Sequence, residues 1–366
     1  MVLIEDLVKV WGWRLDAQMK KILLYISDEI GDEIFTGCFR DNCNAPFIHL
    51  KKRLSDLGYD LCLLRNGGLP DECEWIWFLN AGNFTDFRSP LRKMASGLKR
   101  SLLRSRAEGK KDLLAECINR GMGDRIALFL WEGQAVSPQS YSKQLHAAFP
   151  IIFTWNDDLV DSKKYIKFHL PLPDYDSPPA AVLFDKKKLL VNVSINKHSA
   201  FSRELYSARK KTIFYFDKYY PADFDLYGRG WESYAGRLKC LRGEIQRKKD
   251  ILPNYKFCLA YENMQGERGY ITEKIFDAMQ CGTVPVYWGA SNIDKYVDPR
   301  AFVDRRMFKS DAELARFLSD MTEREYKTYS EAIAAYLDGE KYSWFLPEHF
   351  ANTIINTFNL AGLKHD

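Results

Sequence analysis

The chain has 366 residues, of which 46% are hydrophobic and 28% are charged, and its formal net charge is +4. This length favours two domains of roughly 150 to 200 residues, and the composition is typical of an ordinary globular protein. So small a net charge argues against a dedicated nucleic-acid binder, which would need many cationic contacts to phosphates. The aromatic fraction of 14% is high, and either a large core or a ligand that stacks on aromatic rings would account for it.

The N-terminal segment MVLIEDLVKVWGWRLDAQMKK is interrupted by Glu5, Asp6, Lys9 and Arg14. These charges argue against a signal peptide and against a membrane span, which needs about 20 apolar residues. The eight cysteines lack metal-binding spacing, and several lie in apolar runs, as buried free thiols do. That usage fits a reducing compartment. The sequence therefore predicts a cytoplasmic protein with at most peripheral membrane contact.

Short apolar runs alternate with helical or loop stretches in the first half of the chain. They are KILLYI (21–26), DLCLL (60–64), EWIWFL (74–79), RIALFLW (125–131) and PIIFTW (150–155). Such runs are typical of strands buried on both faces of a parallel sheet. The Pro-rich stretch at 169–184 then predicts a linker.

The basic run at 91–111 has apolar residues at helical spacing. It is interpreted either as a helix with a solvated cationic face or as a patch that attracts an anionic acceptor or a membrane surface.

A second alternating set follows the linker. Its predicted strands are KLLVNVSI (188–195), TIFYF (212–216), FDLYGRGW (224–231), YKFCLAYEN (255–263) and TVPVYWG (283–289). A helical stretch is predicted over 202–211, and amphipathic helices are predicted in the tail from 310 to 363. Two such halves predict an α/β fold with two Rossmann-like domains facing a central cleft. The predicted boundaries are 1–178, 179–345 and a C-terminal helix at 346–366 that packs back on the N-terminal domain.

A helix is predicted over Glu273–Gln280, with Thr272 as its N-cap and Gly282 as its stop. Lys274 lies in the first turn, where a cation opposes the helix dipole. Two interpretations fit this lysine. Either an anion docks on the free backbone amides at the helix start, or the side chain extends into solvent.

Two further charged residues are candidates from their positions alone. Arg203 follows a predicted strand at the opening of a helix, and arginine is well shaped to bind a diphosphate; helix arginines are otherwise surface residues. Glu132 follows an apolar strand and precedes Gly133. A carboxylate there faces the mouth of the cleft, where partial burial shifts its pKa towards that of a general base. The alternative is a plain polar cap at a strand end.

No metal site is predicted. The two Asp-x-Asp triplets, Asp174–Asp176 and Asp223–Asp225, are better interpreted as loop-forming aspartates. The six histidines form no ligand-spaced cluster. A G-x-G-x-x-G after a strand is also missing, which argues against a dinucleotide-dependent oxidoreductase.

The segment YKFCLAYENMQGERGYITEKIFDAMQCGTVPVYWGA, at 255–290, combines an apolar strand, Glu-Asn, a loop, Gly-Tyr-x-Thr-Glu-Lys-Ile and a strand ending in Tyr-Trp-Gly. In this order it resembles the signature of the α1,3/α1,4-fucosyltransferases of glycosyltransferase family 10, of the bacterial type. VSINKHSAFSR (193–203) and DLYGRGW (225–231) resemble two further stretches of that family. One departure is the loop NMQGER (263–268), which is a residue longer than in bacterial relatives.

The resemblance implies a GT-B fold in which the N-terminal domain binds the acceptor and the C-terminal domain binds GDP-fucose. It implies an inverting glycosyltransferase that moves L-fucose from GDP-β-L-fucose to O3 or O4 of GlcNAc or Glc in an oligosaccharide or glycoconjugate, as in protein or lipopolysaccharide glycosylation. No cofactor is expected, and a divalent cation would at most stimulate. The alternatives are a GT-B enzyme for another nucleotide sugar and a non-catalytic protein that binds nucleotide sugars or glycans.

The resemblance also implies roles for particular residues. Glu132 aligns with the family's general base, although Ser137-Pro138 follows it at a greater distance than in the family. Catalytic roles are implied for Glu132 and Glu273. GDP-fucose binding is implied for a larger set, namely Arg203 and Lys274 at the diphosphate and Asn263, Tyr270 and Glu273 at the nucleotide, ribose or fucose.

Overall fold

A computed structural model describes residues 19–26, 31–37, 39–64, 68–80, 112–173, 179–180 and 182–363. Several features discussed above lie outside these residues. They are the N-terminal segment up to residue 18, the basic run at 91–111 and the Asp174–Asp176 triplet.

The first half of the chain forms a parallel sheet with flanking helices. Its elements are β1 (Lys20–Ile26), α1 (Ala45–Ser55), β2 (Tyr59–Leu63), β3 (Trp75–Leu79), α2 (Leu113–Asn119), β4 (Ile126–Leu130), α3 (Lys143–Ala147), β5 (Ile151–Thr154) and β6 (Tyr165–Lys167). In the described residues the sheet has six strands in the order β2-β1-β3-β4-β5-β6. The five predicted apolar runs are strands, because every residue of a central strand such as β4 is buried. The short β6 has no apolar run to predict it.

The second half repeats this architecture. Its elements are β7 (Lys188–Val193), α4 (Tyr206–Tyr219), β8 (Phe224–Tyr227), β9 (Leu241–Gly243), β10 (Tyr255–Tyr261), α5 (Glu273–Gln280), β11 (Val284–Trp288), β12 (Val303–Asp304), α6 (Asp311–Asp320), α7 (Glu323–Leu337), α8 (Glu340–Ser343) and α9 (Pro347–Thr357). The strand order is β12-β11-β10-β7-β8-β9. The order therefore reverses between β7 and β10, and ligands bind beyond the carboxyl ends of the strands at such a switch point.

The prediction of a strand at TIFYF (212–216) is wrong, because these residues continue α4. The β-branched and aromatic residues favour a strand locally. The side chains of Tyr206, Ile213 and Phe216 are nevertheless buried at spacings that place them on one face of a helix. The helix also begins at Tyr206, so Arg203 lies in the turn before it and not in its first turn.

The last helix crosses to the first half of the chain. Phe350 and Ile354 of α9 join the apolar core that includes Phe47 and Leu50 of α1, and Glu348 accepts a 2.7 Å hydrogen bond from His49. The domain boundaries themselves stay predictions. None of the helices in the described part of the chain is long and apolar enough to cross a membrane.

Candidate active site

A cavity of about 500 Å³ lies where the carboxyl ends of the two sheets face each other. Residues after β7 and β10 line it, so it coincides with the switch point of the second sheet. Five of the six predicted site residues line this cavity, namely Glu132, Asn263, Tyr270, Glu273 and Lys274. The structure therefore brings together residues that are far apart in the sequence.

Glu262, at the end of β10, holds the start of α5 through hydrogen bonds to Thr272. Thr272 caps the helix, and its hydroxyl accepts a 3.5 Å hydrogen bond from the amide of Lys274. Glu262 is completely buried and accepts hydrogen bonds from the amide of Thr272 at 2.9 Å and from its hydroxyl at 2.7 Å. Burial raises the pKa of Glu262, and the charge of Lys274 opposes this effect. The predicted cap is confirmed, and its orientation is set by a carboxylate on the neighbouring strand.

Lys274 folds back over the helix start. Its Nζ lies 2.9 Å from Thr272 Oγ1, 3.2 Å from Glu273 Oε1 and 3.4 Å from Glu262 Oε2, and the side chain is 22% exposed. Burial acts to lower the pKa of Lys274, but the two carboxylates raise it above its ordinary value. The same lysine, together with Lys248, lowers the pKa of Glu273 against the effect of burial. Lys274 is therefore a cation and Glu273 an anion at neutral pH.

Lys248 adds a second cation to the cavity wall. Its Nζ donates a 2.5 Å hydrogen bond to Asp277 in α5 and lies 3.9 Å from Asp41 of the first domain. Its backbone amide also donates to Asp41 Oδ1 at 2.6 Å. Burial opposes the charge of Lys248, but the surrounding carboxylates raise its pKa. Both domains thus contribute carboxylates to this lysine.

Glu132 follows β4 and is positioned through its backbone. Its amide donates to Asn80 Oδ1 at 2.9 Å, and its carbonyl accepts a 2.8 Å hydrogen bond from the Tyr141 hydroxyl. Burial raises the pKa of Tyr270 well above its ordinary value, and the charges of Glu132, Glu262 and Glu273 act in the same direction. Carboxylates from both domains therefore lie close to the Tyr270 phenol.

The next residue, Gly133, lies at a close contact between the two domains beside the cavity. A Cβ atom at this position would collide with the Met264 side chain and lie 3.3 Å from the Tyr270 ring. On the other side, the Tyr270 ring lies 4.7 Å from that of Trp155. Glycine at 133 thus allows Glu132 to face the second domain.

Arg203 does not line the cavity. Its guanidinium forms an ion pair with Glu267, and its side chain is 52% exposed. The arginine of α4 that does line the cavity is Arg209, which is only 5% exposed. The predicted role of Arg203 at the diphosphate stays a prediction.

Among the charged residues at or beside the cavity that sequence reasoning missed are Arg209, Glu262 and Lys248. Arg209 lies within the helical stretch predicted over 202–211, but it shares a buried face with Ile213 and Phe216 only because the helix continues through 212–216. Glu262 ends an apolar strand, which is the same signal that identifies Glu132. Lys248 lies in a short 3-10 turn, and no local pattern identifies it.

Asp225 is not a loop residue, which corrects the interpretation of the Asp223–Asp225 triplet. It lies buried in β8, where Lys188 at 2.8 Å and Arg242 at 2.6 Å neutralise it. Among the residues that the structure describes, no group of three or more His, Cys, Asp or Glu side chains is arranged to hold a metal ion.

Comparison with known proteins identifies the second domain. The family profile described as glycosyltransferase family 10 (fucosyltransferase) C-term matches residues 184–344. An alpha-(1,3)-fucosyltransferase from Helicobacter pylori is 44% identical over 66 residues, which are 18% of this chain and 14% of that protein. An alpha-(1,4)-fucosyltransferase from Arabidopsis thaliana is 45% identical over 67 residues, which are 18% of this chain and 16% of that protein. These matches thus span less than a fifth of the relatives' own length.

The whole chain resembles solved structures in its fold. A crystal structure of an alpha1,3-fucosyltransferase superimposes with a TM-score of 0.54 at 15% identity, over 94% of this chain and 92% of that one. A crystal structure of alpha1,3-fucosyltransferase with GDP gives a TM-score of 0.52 at 14% identity over the same shares. The predicted GT-B arrangement of two Rossmann-like domains is confirmed. Residues 184–344 of this chain are similar to the C-terminal part of glycosyltransferase family 10, the fucosyltransferase family.

Proposed function

We propose that the chain is an inverting fucosyltransferase, which moves L-fucose from GDP-β-L-fucose to a hydroxyl of a glycan acceptor. The observation that carries this proposal is one cavity shared by a carboxylate of the first domain, Glu132, and the cations Lys248 and Lys274 of the second. This cavity lies at the switch point of the second sheet, and nucleotides bind at that position in Rossmann-like domains. The names of the matched relatives and the GDP in one similar structure support fucose and GDP as the donor groups.

In this reaction Glu132 accepts the proton of the acceptor hydroxyl, and the hydroxyl oxygen attacks the anomeric carbon of fucose from the face opposite GDP. The bond from that carbon to the β-phosphate oxygen breaks, and an α-fucoside and GDP result. The transition state resembles an oxocarbenium ion, so negative charge develops on the leaving diphosphate. Lys274 and the start of α5 stabilise that charge. The Glu273 carboxylate or the Tyr270 ring stabilises the positive charge on the sugar.

The finer assignments are part of the same proposal. We infer O3 or O4 of GlcNAc or Glc as the attacking hydroxyl, in an oligosaccharide, lipopolysaccharide or glycoprotein. The cytoplasmic location, the lack of a cofactor requirement and the diphosphate role of Arg203 stay predictions from the sequence.

A two-step experiment tests this function. The purified chain is first screened by thermal shift against GDP-fucose, GDP-mannose and UDP-sugars, and GDP-fucose should give the largest stabilisation. It is then incubated with GDP-fucose on a glycan array, and the product linkage and anomeric configuration are determined by NMR. An α-fucoside is expected. A β-fucoside would refute the inverting mechanism. Preferred transfer from a UDP-sugar would refute GDP-fucose as the donor. Binding without transfer or hydrolysis would show a non-catalytic protein.

A further inference from the structure

Arg209 is a buried arginine that the reaction outlined above does not use. It lies in the first turns of α4 with its side chain directed inward, and it lines the cavity that contains Lys274. Its neighbour Lys211 on the same helix is exposed. Burial of a residue that is charged at every physiological pH requires a specific reason.

The hydrogen bonds of Arg209 go to uncharged acceptors. One terminal nitrogen donates to the carbonyl of Tyr261 at 2.8 Å and to that of Glu262 at 3.0 Å. The Nε atom is buried without a hydrogen-bond partner among the described residues. No ion pair links the guanidinium to a described carboxylate. The two carbonyl dipoles, the Tyr206 ring at 5.6 Å and the charges of Glu262 and Glu273 favour the charged guanidinium, but none of them forms an ion pair with it.

Lys248 and Lys274, two other cations that line the cavity, differ from Arg209 in this respect. Lys248 is paired with Asp277, and Lys274 lies within 3.4 Å of Glu262 and 3.2 Å of Glu273. Arg209 is close enough to Lys274 for their charges to repel each other. An anion in the cavity would relieve that repulsion and supply the missing partner of Arg209.

We propose that Arg209 binds a phosphate oxygen of the nucleotide diphosphate together with Lys274. The planar guanidinium presents several N–H groups in a geometry that matches phosphate oxygens. The two carbonyl contacts hold the guanidinium in place before the ligand arrives, so little side-chain entropy is lost on binding. This inference rests on the proposed function only in so far as the ligand of the cavity is a diphosphate.

The test measures the affinity of GDP, UDP, inorganic pyrophosphate and guanosine by calorimetry for wild type, Arg209→Gln and Arg209→Lys. Arg209→Gln should weaken GDP binding about ten- to hundred-fold, the range expected for a charged hydrogen bond, while guanosine binding changes little. The GDP affinity of Arg209→Lys should lie between those of wild type and Arg209→Gln. Lys211→Gln removes a charge from the exposed face of the same helix and should bind GDP as wild type does.

Other outcomes separate this inference from the proposed function. If UDP or pyrophosphate binds in preference to GDP and depends on Arg209, the fucosyltransferase proposal fails and the inference stands. Equal losses of affinity for guanosine and GDP would assign Arg209 a purely structural role and overturn the inference. Unchanged GDP affinity in a folded variant, or no diphosphate binding by wild type, would also overturn it. If Arg209→Gln does not fold, the affinities of Arg209→Lys for GDP and guanosine test the inference by the same comparison.

Discussion

Asp157 of the first domain and Tyr296 of the second are joined by a 2.6 Å hydrogen bond that the Tyr296 hydroxyl donates. Asp157 also accepts from Lys167 at 2.6 Å and from Asn292 at 2.7 Å. The side-chain oxygen of Asn292 in turn accepts a 3.0 Å hydrogen bond from the amide of Gly269. This contact between the domains therefore holds the loop that precedes Tyr270 and α5.

We expect Asp157→Asn to lower the free energy of unfolding by about 1–3 kcal/mol, because hydrogen bonds to a charged group are lost. Turnover should also fall, since the loop before Tyr270 loses its anchor. Asp158→Asn is the matched control: its side chain is 65% exposed and pairs with Arg268 at the surface, and such pairs contribute about 0–1 kcal/mol. Urea unfolding and steady-state kinetics measure both effects. Equal stability of the two variants would contradict the prediction.

The contribution of Asp157 to the free energy of unfolding should depend on pH. Burial acts to raise its pKa, but the hydrogen bonds from Lys167, Tyr296 and Asn292 lower it below the ordinary value of 3.8. Because the folded-state pKa is the lower one, the stabilisation is complete above pH 3.8 and is lost as the pH falls through the folded-state pKa. The difference in unfolding free energy between wild type and Asp157→Asn should therefore shrink in acid. If this difference stays constant between pH 6 and pH 3, the pKa of Asp157 is not lowered by folding and the prediction is wrong.

Glu132→Gln should reduce turnover about a hundred- to ten-thousand-fold, the usual contribution of a positioned general base. GDP affinity should change little, because Glu132 belongs to the first domain and the cations to the second. Initial rates of GDP release, with calorimetry as the binding assay, test both statements. The exposed Glu74→Gln in the same domain serves as the control. Retention of turnover by a folded Glu132→Gln protein would assign the base to another residue.

Lys274→Met should weaken GDP binding about ten- to hundred-fold, since a charged hydrogen bond to phosphate is lost. It should also destabilise the protein, because Glu262 would remain buried without its nearby cation. Lys295→Met removes an exposed lysine of the same domain and is the control. Calorimetry and thermal unfolding provide the measurements. Wild-type affinity in Lys274→Met would refute the diphosphate role.

Cys43 offers a chemical probe of the cavity, because it is exposed and lines the cavity near Glu273. Although the residue is accessible, partial desolvation of the thiol against the cavity wall, then the charges of Asp41 and Glu273, raise its pKa above the ordinary 9.0. The thiolate fraction at neutral pH is therefore low, and the rate of alkylation should still be rising with pH above 9. GDP should slow this labelling, and mass spectrometry of the labelled peptide measures it. Labelling that GDP does not affect would place Cys43 outside the nucleotide site.

Much of the fold is predictable from local patterns. The apolar runs of β1 and β3 to β5 form strands, and Thr272 caps α5, because burial pattern and capping depend on residues that are neighbours in sequence. The strand prediction at 212–216 is wrong because the composition of this segment favours a strand locally, whereas the core buries one face of a helix there.

The type and order of most elements, the cap of α5 and the signature around it follow from the sequence, since each depends on short-range spacing. The contacts among the charged residues depend on the tertiary structure. The reversal of strand order between β7 and β10 brings Lys248, Arg209 and Lys274 to one cavity, and the contact between the domains places Glu132 beside it. These distances depend on crossovers and domain packing, which no local pattern encodes, and they leave the Nε atom of Arg209 without a hydrogen-bond partner among the described residues.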